Sequence, residues 1–272
     1  MFARSRPFPV LWVALVTSMV FSSGCKSTET TPLDAGAGDG APLDDGGRMH
    51  ELRCPEPATP SCTDESVLEL HLFADPNDAP IENEPDGEGF RTHVDATGGG
   101  FTPSRAYVYG RFTDEGLVRV DIGDEAAFES TEWDIAFRRF VIRLNSGVSG
   151  PSCVTAARTG VGTEYEALTV APDSLEYRTE EYFTPTCEFV PDGSGLESPG
   201  TALQSFWSYP GCVQMTGNVY IVHLANGRKV KLTVTSYYAP DSQEMCDDTG
   251  SVAAGPANGA GNIRFRWAFL EQ

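Results

Sequence analysis

The sequence predicts an all-β protein with a mostly antiparallel sheet, behind a signal peptide and a disordered acidic stalk. Three observations favour this fold class. The chain contains 28 Gly and 19 Pro among 272 residues, its apolar runs are short and bounded by turn sequences, and no long segment keeps the helical period. This combination is typical of many strands joined by turns and argues against a helical bundle.

Four regions are expected along the chain. Residues 1–24 form a lipoprotein signal peptide, 25–50 a disordered acidic linker, 51–90 an irregular segment with a disulfide, and 91–272 the β domain. The linker has almost no large apolar side chain, so it cannot offset the entropy lost on ordering. The net charge of −20 argues against nucleic acid as a partner, because the chain would repel its phosphates.

The N-terminus has the layout of an export signal. Arg4 and Arg6 precede the apolar run from Phe8 to Phe21, which leads into the small residues before Cys25. The run of about 14 residues is shorter than the ~20 that span a bilayer. A Cys directly after small residues resembles the bacterial lipoprotein signal, in which that Cys carries the lipid. We therefore expect a membrane anchor at Cys25 in a bacterial cell envelope, with the outer membrane as the favoured site. Ordinary cleavage with a free Cys25 is the alternative.

The cysteine count agrees with a lipidated Cys25. Seven cysteines are an odd number, which is unfavourable for an exported protein. With Cys25 lipidated, six remain for three disulfides in an oxidising compartment. We predict a Cys54–Cys62 bridge, because the two lie close in sequence and the prolines between them favour a turn; the pairing of the other four stays open. The disulfide candidates are Cys54, Cys62, Cys153, Cys187, Cys212 and Cys246.

Several apolar runs predict individual strands. Two pairs of runs predict hairpins, one through an Asp-Glu-Gly loop and one through an Asn-Gly turn, the strongest short-range hairpin signal. The last run alternates large apolar residues with arginines, the period of a strand with one buried face. The predicted strands are Val67–Phe73, Ala106–Phe112 with Leu117–Ile122, one long strand Trp133–Leu144, Val219–Leu224 with Lys229–Tyr238, and Ile263–Leu270.

Two of these segments carry a family resemblance. Ser130 to Pro151, STEWDIAFRRFVIRLNSGVSGP, strongly resembles the signature segment of the HmuY-like family of exported haem-binding lipoproteins, and Asn218 to Tyr238 is similar to the family's late hairpin. The resemblance extends over about His93 to Gln272. It implies an all-β fold that grips haem at one end and serves haem and iron acquisition, with a haem-donor protein as a possible partner.

The resemblance also indicates where haem ligands would lie. Family members use two His residues, and the corresponding positions here are about Asp173 and Tyr209. A carboxylate is a poor haem ligand, whereas a tyrosine phenolate is an accepted one. Tyr209 is therefore the candidate iron contact and Met215 its candidate companion. The competing interpretation is that Tyr209 merely packs in the turn before Pro210.

Two functions of different class follow from the sequence. The first is a surface-anchored binder of haem or a related tetrapyrrole. The second is an HmuY-like fold that has lost haem ligation and acts as a protein- or glycan-interaction module. We expect no enzyme, because the chain lacks the G-x-S-x-G, H-E-x-x-H and Walker motifs.

Lipidation of Cys25 is directly testable. We expect the full chain, expressed in a bacterium, to enter the detergent phase on phase partitioning, because acyl chains contribute ~0.8 kcal/mol for each buried CH₂. The Cys25→Ser variant should stay in the aqueous phase. Both versions in the aqueous phase would contradict a lipid anchor.

Overall fold

The computed structural model describes residues 56–98 and 102–271, and within them the predicted mostly antiparallel all-β fold is confirmed. A six-stranded sheet has the order β1-β2-β12-β11-β10-β7, a four-stranded sheet has the order β4-β3-β5-β6, and β8 pairs with β9. The predicted signal peptide, Cys25, the predicted linker and Cys54 lie outside the described residues. The strands are β1 Ile81–Asp86, β2 Gly89–Asp95, β3 Val108–Thr113, β4 Gly116–Val120, β5 Ile135–Arg138, β6 Val141–Leu144, β7 Thr155–Arg158, β8 Trp207–Ser208, β9 Gln214–Met215, β10 Val219–His223, β11 Lys229–Ser236 and β12 Asn262–Phe269.

The two large sheets share one apolar core. On β12, Phe265 and Trp267 are buried, and the predicted alternation with arginines is confirmed. The Phe265 ring stacks on Phe137 of β5 at 5.2 Å between centroids. The Trp267 ring meets Phe112 of β3 edge-on at 4.8 Å. Aromatic pairs of this kind bury large apolar areas, so these contacts hold the two sheets together.

Both predicted hairpins are present. β3 and β4 pair down to Thr113 and Gly116, leaving a two-residue loop. β10 and β11 turn through Asn226 and Gly227, and Gly227 has φ 85°. A positive φ is accessible to Gly without a Cβ clash, which is why the Asn-Gly pair marks this turn in the sequence.

The long strand predicted over Trp133–Leu144 is wrong. The segment forms β5 and β6, which pair with each other antiparallel and reverse after Arg138. Arg139 makes the turn with φ 52°, and its N–H donates to the Ala96 carbonyl at 2.8 Å. Neither Arg139 nor Phe140 is a usual turn residue, so tertiary contacts fix a reversal that local sequence does not indicate.

The strand predicted at Val67–Phe73 is also wrong. Helix α1, Thr63–Glu69, occupies most of that segment, and Asp64 and Glu65 in its first turn complement the helix dipole. Several elements were not predicted, among them the acidic edge strand β1, the strands β2 and β7, and the ten-residue helix α2, Pro240–Thr249. Helix α2 begins with Pro and ends at Gly250 with φ 70°, which are standard start and stop signals.

The signature segment is built around the side chain of Asn145. Its amide donates to the carbonyls of Ser130 at 2.9 Å and Trp133 at 2.8 Å, and its carbonyl accepts the Ser152 N–H at 3.1 Å. A Cβ on Gly150 would lie 2.1 Å from the Asn145 oxygen, so only Gly fits there. Trp133 is fully buried. These signature residues therefore close the loop after β6.

A buried charged network joins the N-terminal segment to the four-stranded sheet. The Arg143 guanidinium, fully buried, donates to the Tyr109 hydroxyl at 2.6 Å, and that hydroxyl donates to Asp124 at 2.9 Å. The Asp124 carboxylate also accepts the N–H groups of Phe73 and Tyr107. Buried charges of this kind are tolerated only when they are paired and hydrogen-bonded.

The carboxyl of Glu180 is a second buried member of this region. It accepts the N–H groups of Leu144 at 2.8 Å and Ala202 at 3.0 Å. Burial raises its pKa to about 7, against the lowering effect of those two N–H groups and of Arg143. The backbone carbonyl of Glu180 would lie 2.2 Å from a Cβ on Gly147. This close approach explains why the signature segment has Gly at position 147.

The disulfides differ from the prediction in one pairing, but all five cysteines of the described residues are disulfide-bonded. Cys62 is bonded to Cys187, not to Cys54, because Cys62 precedes α1 and packs, together with Leu70 after the helix, in one apolar cluster with Tyr182 and Phe183. Cys212 is bonded to Cys246, with 6.0 Å between their Cα atoms. Cys153 is also disulfide-bonded, and its partner lies outside the described residues.

Replacement of Glu180 should change how stability depends on pH. A buried carboxyl with a raised pKa binds more protons when folded, so stability falls as pH rises from about 4.5 to 7, by on the order of 3 kcal/mol. Glu180→Gln should flatten this fall when urea unfolding is measured across that range. Glu180→Gln should also lower the free energy of unfolding at pH 5 by ~1–3 kcal/mol. The NH₂ group of the glutamine would face a backbone N–H, so two donors would meet and one hydrogen bond would be lost.

The matched control is Glu181→Gln, which changes the exposed neighbour of Glu180. We expect it to keep the wild-type pH dependence. Asp134, whose pKa burial raises to about 6, contributes a fall of the same sign in every variant. An unchanged slope in Glu180→Gln would show that the Glu180 carboxyl does not titrate in this range.

Candidate functional site

Tyr209 lies directly after β8, in the short hairpin that β8 forms with β9. Trp207 of β8 pairs with Met215 of β9, so both candidate ligands belong to this hairpin. The Thr216 N–H donates to the Phe206 carbonyl at 3.0 Å and ties the base of the hairpin. The Tyr209 side chain is 52% exposed, in contrast to most aromatic residues of the chain.

Tyr209 belongs to a group of aromatic residues that we call the aromatic face. The Phe140 ring lies 5.4 Å from Trp207 and 6.2 Å from Tyr237. Tyr237 and Tyr238 meet edge-on at 4.7 Å. The β5–β6 turn thus brings Phe140 onto the end of β11. The aromatic face consists of Phe140, Trp207, Tyr209, Tyr237 and Tyr238.

The electrostatics of these tyrosines place Tyr209 and Arg139 close to them. Burial raises the pKa of Tyr237 and of Tyr238, and the Tyr209 hydroxyl adds to the increase in both. The Arg139 guanidinium hydrogen-bonds to Tyr237 and lowers the pKa of both groups in part. Both therefore stay neutral phenols at pH 7, and Arg139 supplies a positive charge beside Tyr237.

Helix α2 supports the aromatic face from behind. The Gln243 side-chain carbonyl accepts the N–H groups of Tyr237 at 2.9 Å and Tyr238 at 3.2 Å, and its amide donates to the Val213 carbonyl. The Val213 N–H donates to the Tyr238 hydroxyl at 3.1 Å. The Cys212–Cys246 disulfide joins this helix to the β8–β9 hairpin. Cys212 and Cys246 were predicted to form disulfides, but the roles of Gln243 and Val213 were not predicted, although the Pro240 start and the Gly250 stop could have revealed α2.

The other sequence candidates lie in different surroundings. Met215 is half-buried and packs against the main core, so its thioether is less available than the Tyr209 hydroxyl. Asp173 is exposed, and the nearby Tyr177 ring lies 5.8 Å from His223 on the outer side of β10.

The histidines and the cysteine group described next are engaged in other interactions or lie in other surroundings. The His93 ring bonds Glu82 and Asn262, each at 3.0 Å, so both of its nitrogens are engaged. Burial lowers the pKa of His223. In the described part of the chain, one group of side chains has metal-binding spacing, namely Cys62, Glu65 and Cys187. Both sulfurs of that group are in a disulfide, so it offers no thiolate to a metal.

The fold is that of an antiparallel β protein with two large sheets and a short hairpin. The hairpin carries one exposed tyrosine, Tyr209, at the aromatic face. Residues 104–247 match the family described as HmuY protein. The chain belongs to this family.

Three solved structures are similar to the chain at low identity. A candidate HmuY-like haem-binding protein from Bacteroides vulgatus is 18% identical with a TM-score of 0.44, covering 73% of this chain and 99% of its own. A candidate lipoprotein from Bacteroides fragilis is 13% identical with a TM-score of 0.44, covering 70% and 93%. An apo HmuY analogue from Tannerella forsythia is 16% identical with a TM-score of 0.34, covering 73% and 100%.

The search of curated proteins found no significant match. Among the described residues, the helices are all too short or too polar to cross a membrane.

Proposed function

We propose that this protein is a surface-anchored lipoprotein that binds haem or a related tetrapyrrole at the aromatic face and serves haem or iron acquisition. The observation that carries the proposal is the exposed Tyr209 side chain at an aromatic face that also has the Arg139 guanidinium beside Tyr237. Membership of the HmuY family supports the ligand class, and two of the similar structures are described as HmuY proteins or haem-binding proteins of that kind.

The shape and polarity of the aromatic face suit a flat apolar ligand. Phe140 is half-buried and Tyr209 is exposed, so both rings offer surface to a planar molecule. Stacking on such rings contributes beyond the burial of area alone. The guanidinium of Arg139, beside Tyr237, would pair with a carboxylate substituent at the ligand's edge.

Tyr209 is the proposed iron contact. A phenolate oxygen is an accepted axial donor to haem iron and stabilises the ferric state. Arg139 hydrogen-bonds to the neighbouring Tyr237, so a positive charge lies at the edge of the aromatic face. Met215, in the same hairpin, is the proposed companion, although its side chain must leave the core to reach iron. A water is the alternative second ligand.

The second candidate function is an HmuY-like fold without haem ligation that acts as a protein- or glycan-interaction module. The observation that favours it is the absence of both family His residues, whose positions hold Asp173 and Tyr209. In either case a lipid at Cys25, followed by the acidic linker, would hold the β domain at the cell envelope. Carrying haem would also require a donor or acceptor protein.

The haem proposal is tested by adding haemin to the full chain and recording visible spectra. Wild type should show a ferric spectrum with phenolate character and should lose affinity on reduction with dithionite, because anionic oxygen favours ferric iron. Tyr209→Phe keeps the ring and removes the donor oxygen, and it should weaken ferric haem binding at least ~10-fold, about 1.4 kcal/mol.

The matched control is Tyr165→Phe, which removes the hydroxyl of a tyrosine that is not part of the aromatic face. The Tyr165 ring lies beneath the side chains of Lys231 and Arg266. This variant should bind haem like wild type. If Tyr209→Phe and wild type give the same ferric spectrum, Tyr209 is not the ligand. If wild type binds no haem at all, the interaction module becomes the better function.

A further inference from the structure

The Tyr238 hydroxyl is a polar group of the aromatic face that the proposed haem function leaves unused. Its oxygen accepts the Val213 N–H at 3.1 Å, and both residues are buried. Among the described residues, no acceptor bonds the proton of this hydroxyl. A hydroxyl oxygen that accepts one hydrogen bond still has a proton to donate. The Tyr238 O–H is therefore a donor at the aromatic face that has no acceptor in the described chain.

The β8–β9 hairpin places Tyr209 next to that donor. The two strands pair up to Ser208 and Gln214, so the same register continues to Tyr209 opposite Val213. Opposed residues of an antiparallel pair have Cα atoms about 4.5–5.5 Å apart, and their side chains lie on the same face. Because the Tyr238 hydroxyl bonds the backbone of Val213, it lies at the residue opposite Tyr209.

The contact between Tyr238 and the hairpin is held from several sides. The Gln243 amide donates to the Val213 carbonyl at 3.2 Å, while Tyr238 accepts the Val213 N–H. The neighbouring Cys212 is bonded to Cys246 of α2. Displacing the hairpin loop from Tyr238 would break both hydrogen bonds against the restraint of the disulfide. Donors that are fixed in advance stabilise a charge without reorganisation.

The electrostatics of the tyrosines agree with this placement. Burial raises the pKa of Tyr238, and the Tyr209 hydroxyl raises that pKa further. Tyr238 therefore keeps its proton at pH 7 and faces an anion as a donor. The Tyr237 hydroxyl is instead hydrogen-bonded to Arg139, in the β5–β6 turn. The Tyr238 hydroxyl is the one that bonds the hairpin carrying Tyr209.

We propose that Tyr238 is a positioning residue for the iron contact, in which its O–H donates a hydrogen bond to the Tyr209 oxygen and stabilises the phenolate form. The inference rests on the proposed haem function. Ligation forms one bond between the Tyr209 oxygen and ferric iron in place of a water, and the Tyr209 proton passes to the solvent. The Tyr238 proton stays on Tyr238. A hydrogen bond to the charged form of an acid favours that form, so Tyr238 strengthens ferric ligation.

The test is a haemin titration of the full chain in its wild-type and Tyr238→Phe forms, repeated at several pH values. The variant keeps the ring and removes only the hydroxyl. We expect it to bind ferric haem ~5–10-fold more weakly, because a hydrogen bond to a charged group is lost. Acid should then release the haem at a pH about one unit higher than in wild type. The phenolate band of the visible spectrum should also shift.

A double-mutant cycle separates this role from a general effect on the fold. In a Tyr209→Phe background there is no phenolate to stabilise. Adding Tyr238→Phe to that background should therefore change haem binding by less than about twofold. If Tyr238→Phe weakens haem binding equally in both backgrounds, Tyr238 acts on the fold alone and the proposal is wrong.

The matched control is Tyr220→Phe, which removes another buried tyrosine hydroxyl bonded to the backbone, here to the Gln204 carbonyl at 2.8 Å. It should bind haem like wild type. Hydrogen exchange of the haem-free chain supplies a readout without ligand. The Val213 N–H should lose protection in Tyr238→Phe and keep it in Tyr220→Phe, and unchanged protection in both would contradict the Tyr238–Val213 contact.

The spectra distinguish failure of this inference from failure of the proposed function. A wild-type chain that shows no phenolate spectrum with haemin would overturn both the iron contact and the role of Tyr238. A wild-type phenolate spectrum with the same affinity, band position and acid release in Tyr238→Phe would overturn the role of Tyr238 alone.

Discussion

The charge of Arg143, fully withdrawn from water, is the constraint on which the β domain depends. An unpaired buried charge would be strongly destabilising, so the structure must place partners around it. The Tyr109 hydroxyl receives one of its N–H groups and passes a hydrogen bond on to Asp124, while the Tyr107 ring lies 4.0 Å from the guanidinium carbon. The backbone of Phe73 bonds the same Asp124 carboxylate. The network therefore fixes the N-terminal segment against the four-stranded sheet.

This constraint also explains the composition of the family signature. Arg143 lies in β6, and Asn145, Gly147 and Gly150 follow it in the loop that closes around Glu180 and Trp133. Each of these residues is needed for a hydrogen bond or for a close backbone approach. The segment that best identifies the family therefore holds the fold together, while the proposed ligand contact is on a different hairpin.

Local chemistry in the sequence was enough to predict part of the fold. The Asn226-Gly227 turn and the alternation along β12 are properties of neighbouring residues, and both are confirmed. The reversal at Arg139 and the Cys62–Cys187 bridge depend on contacts between distant segments; the two cysteines are 125 residues apart. Sequence spacing favoured a nearer partner for Cys62, and the packing of Cys62 and Leu70, on either side of α1, with Tyr182 outweighed it.

The candidate site was predictable to the same limited extent. The family resemblance located Tyr209, and its exposure agrees with a contact residue, but the ligand role stays a prediction. The neighbouring Tyr237 and Tyr238 lie at the end of a predicted strand, a position that does not by itself indicate a site. Their role depends on Gln243, in a helix whose sequence is too polar to show an apolar period.

The most direct test of the central constraint is to compare two tyrosines that both contact Arg143. Tyr109 and Tyr182 are both fully buried, but only Tyr109 links Arg143 to Asp124; the Tyr182 hydroxyl lies 3.5 Å from the guanidinium. In urea unfolding, Tyr109→Phe should lower the free energy of unfolding by ~2–4 kcal/mol, because two hydrogen bonds to charged groups are lost. Tyr182→Phe should lower it by about 1 kcal/mol or less. Equal losses in the two variants would contradict the claim that the Arg143–Tyr109–Asp124 connection holds this domain together.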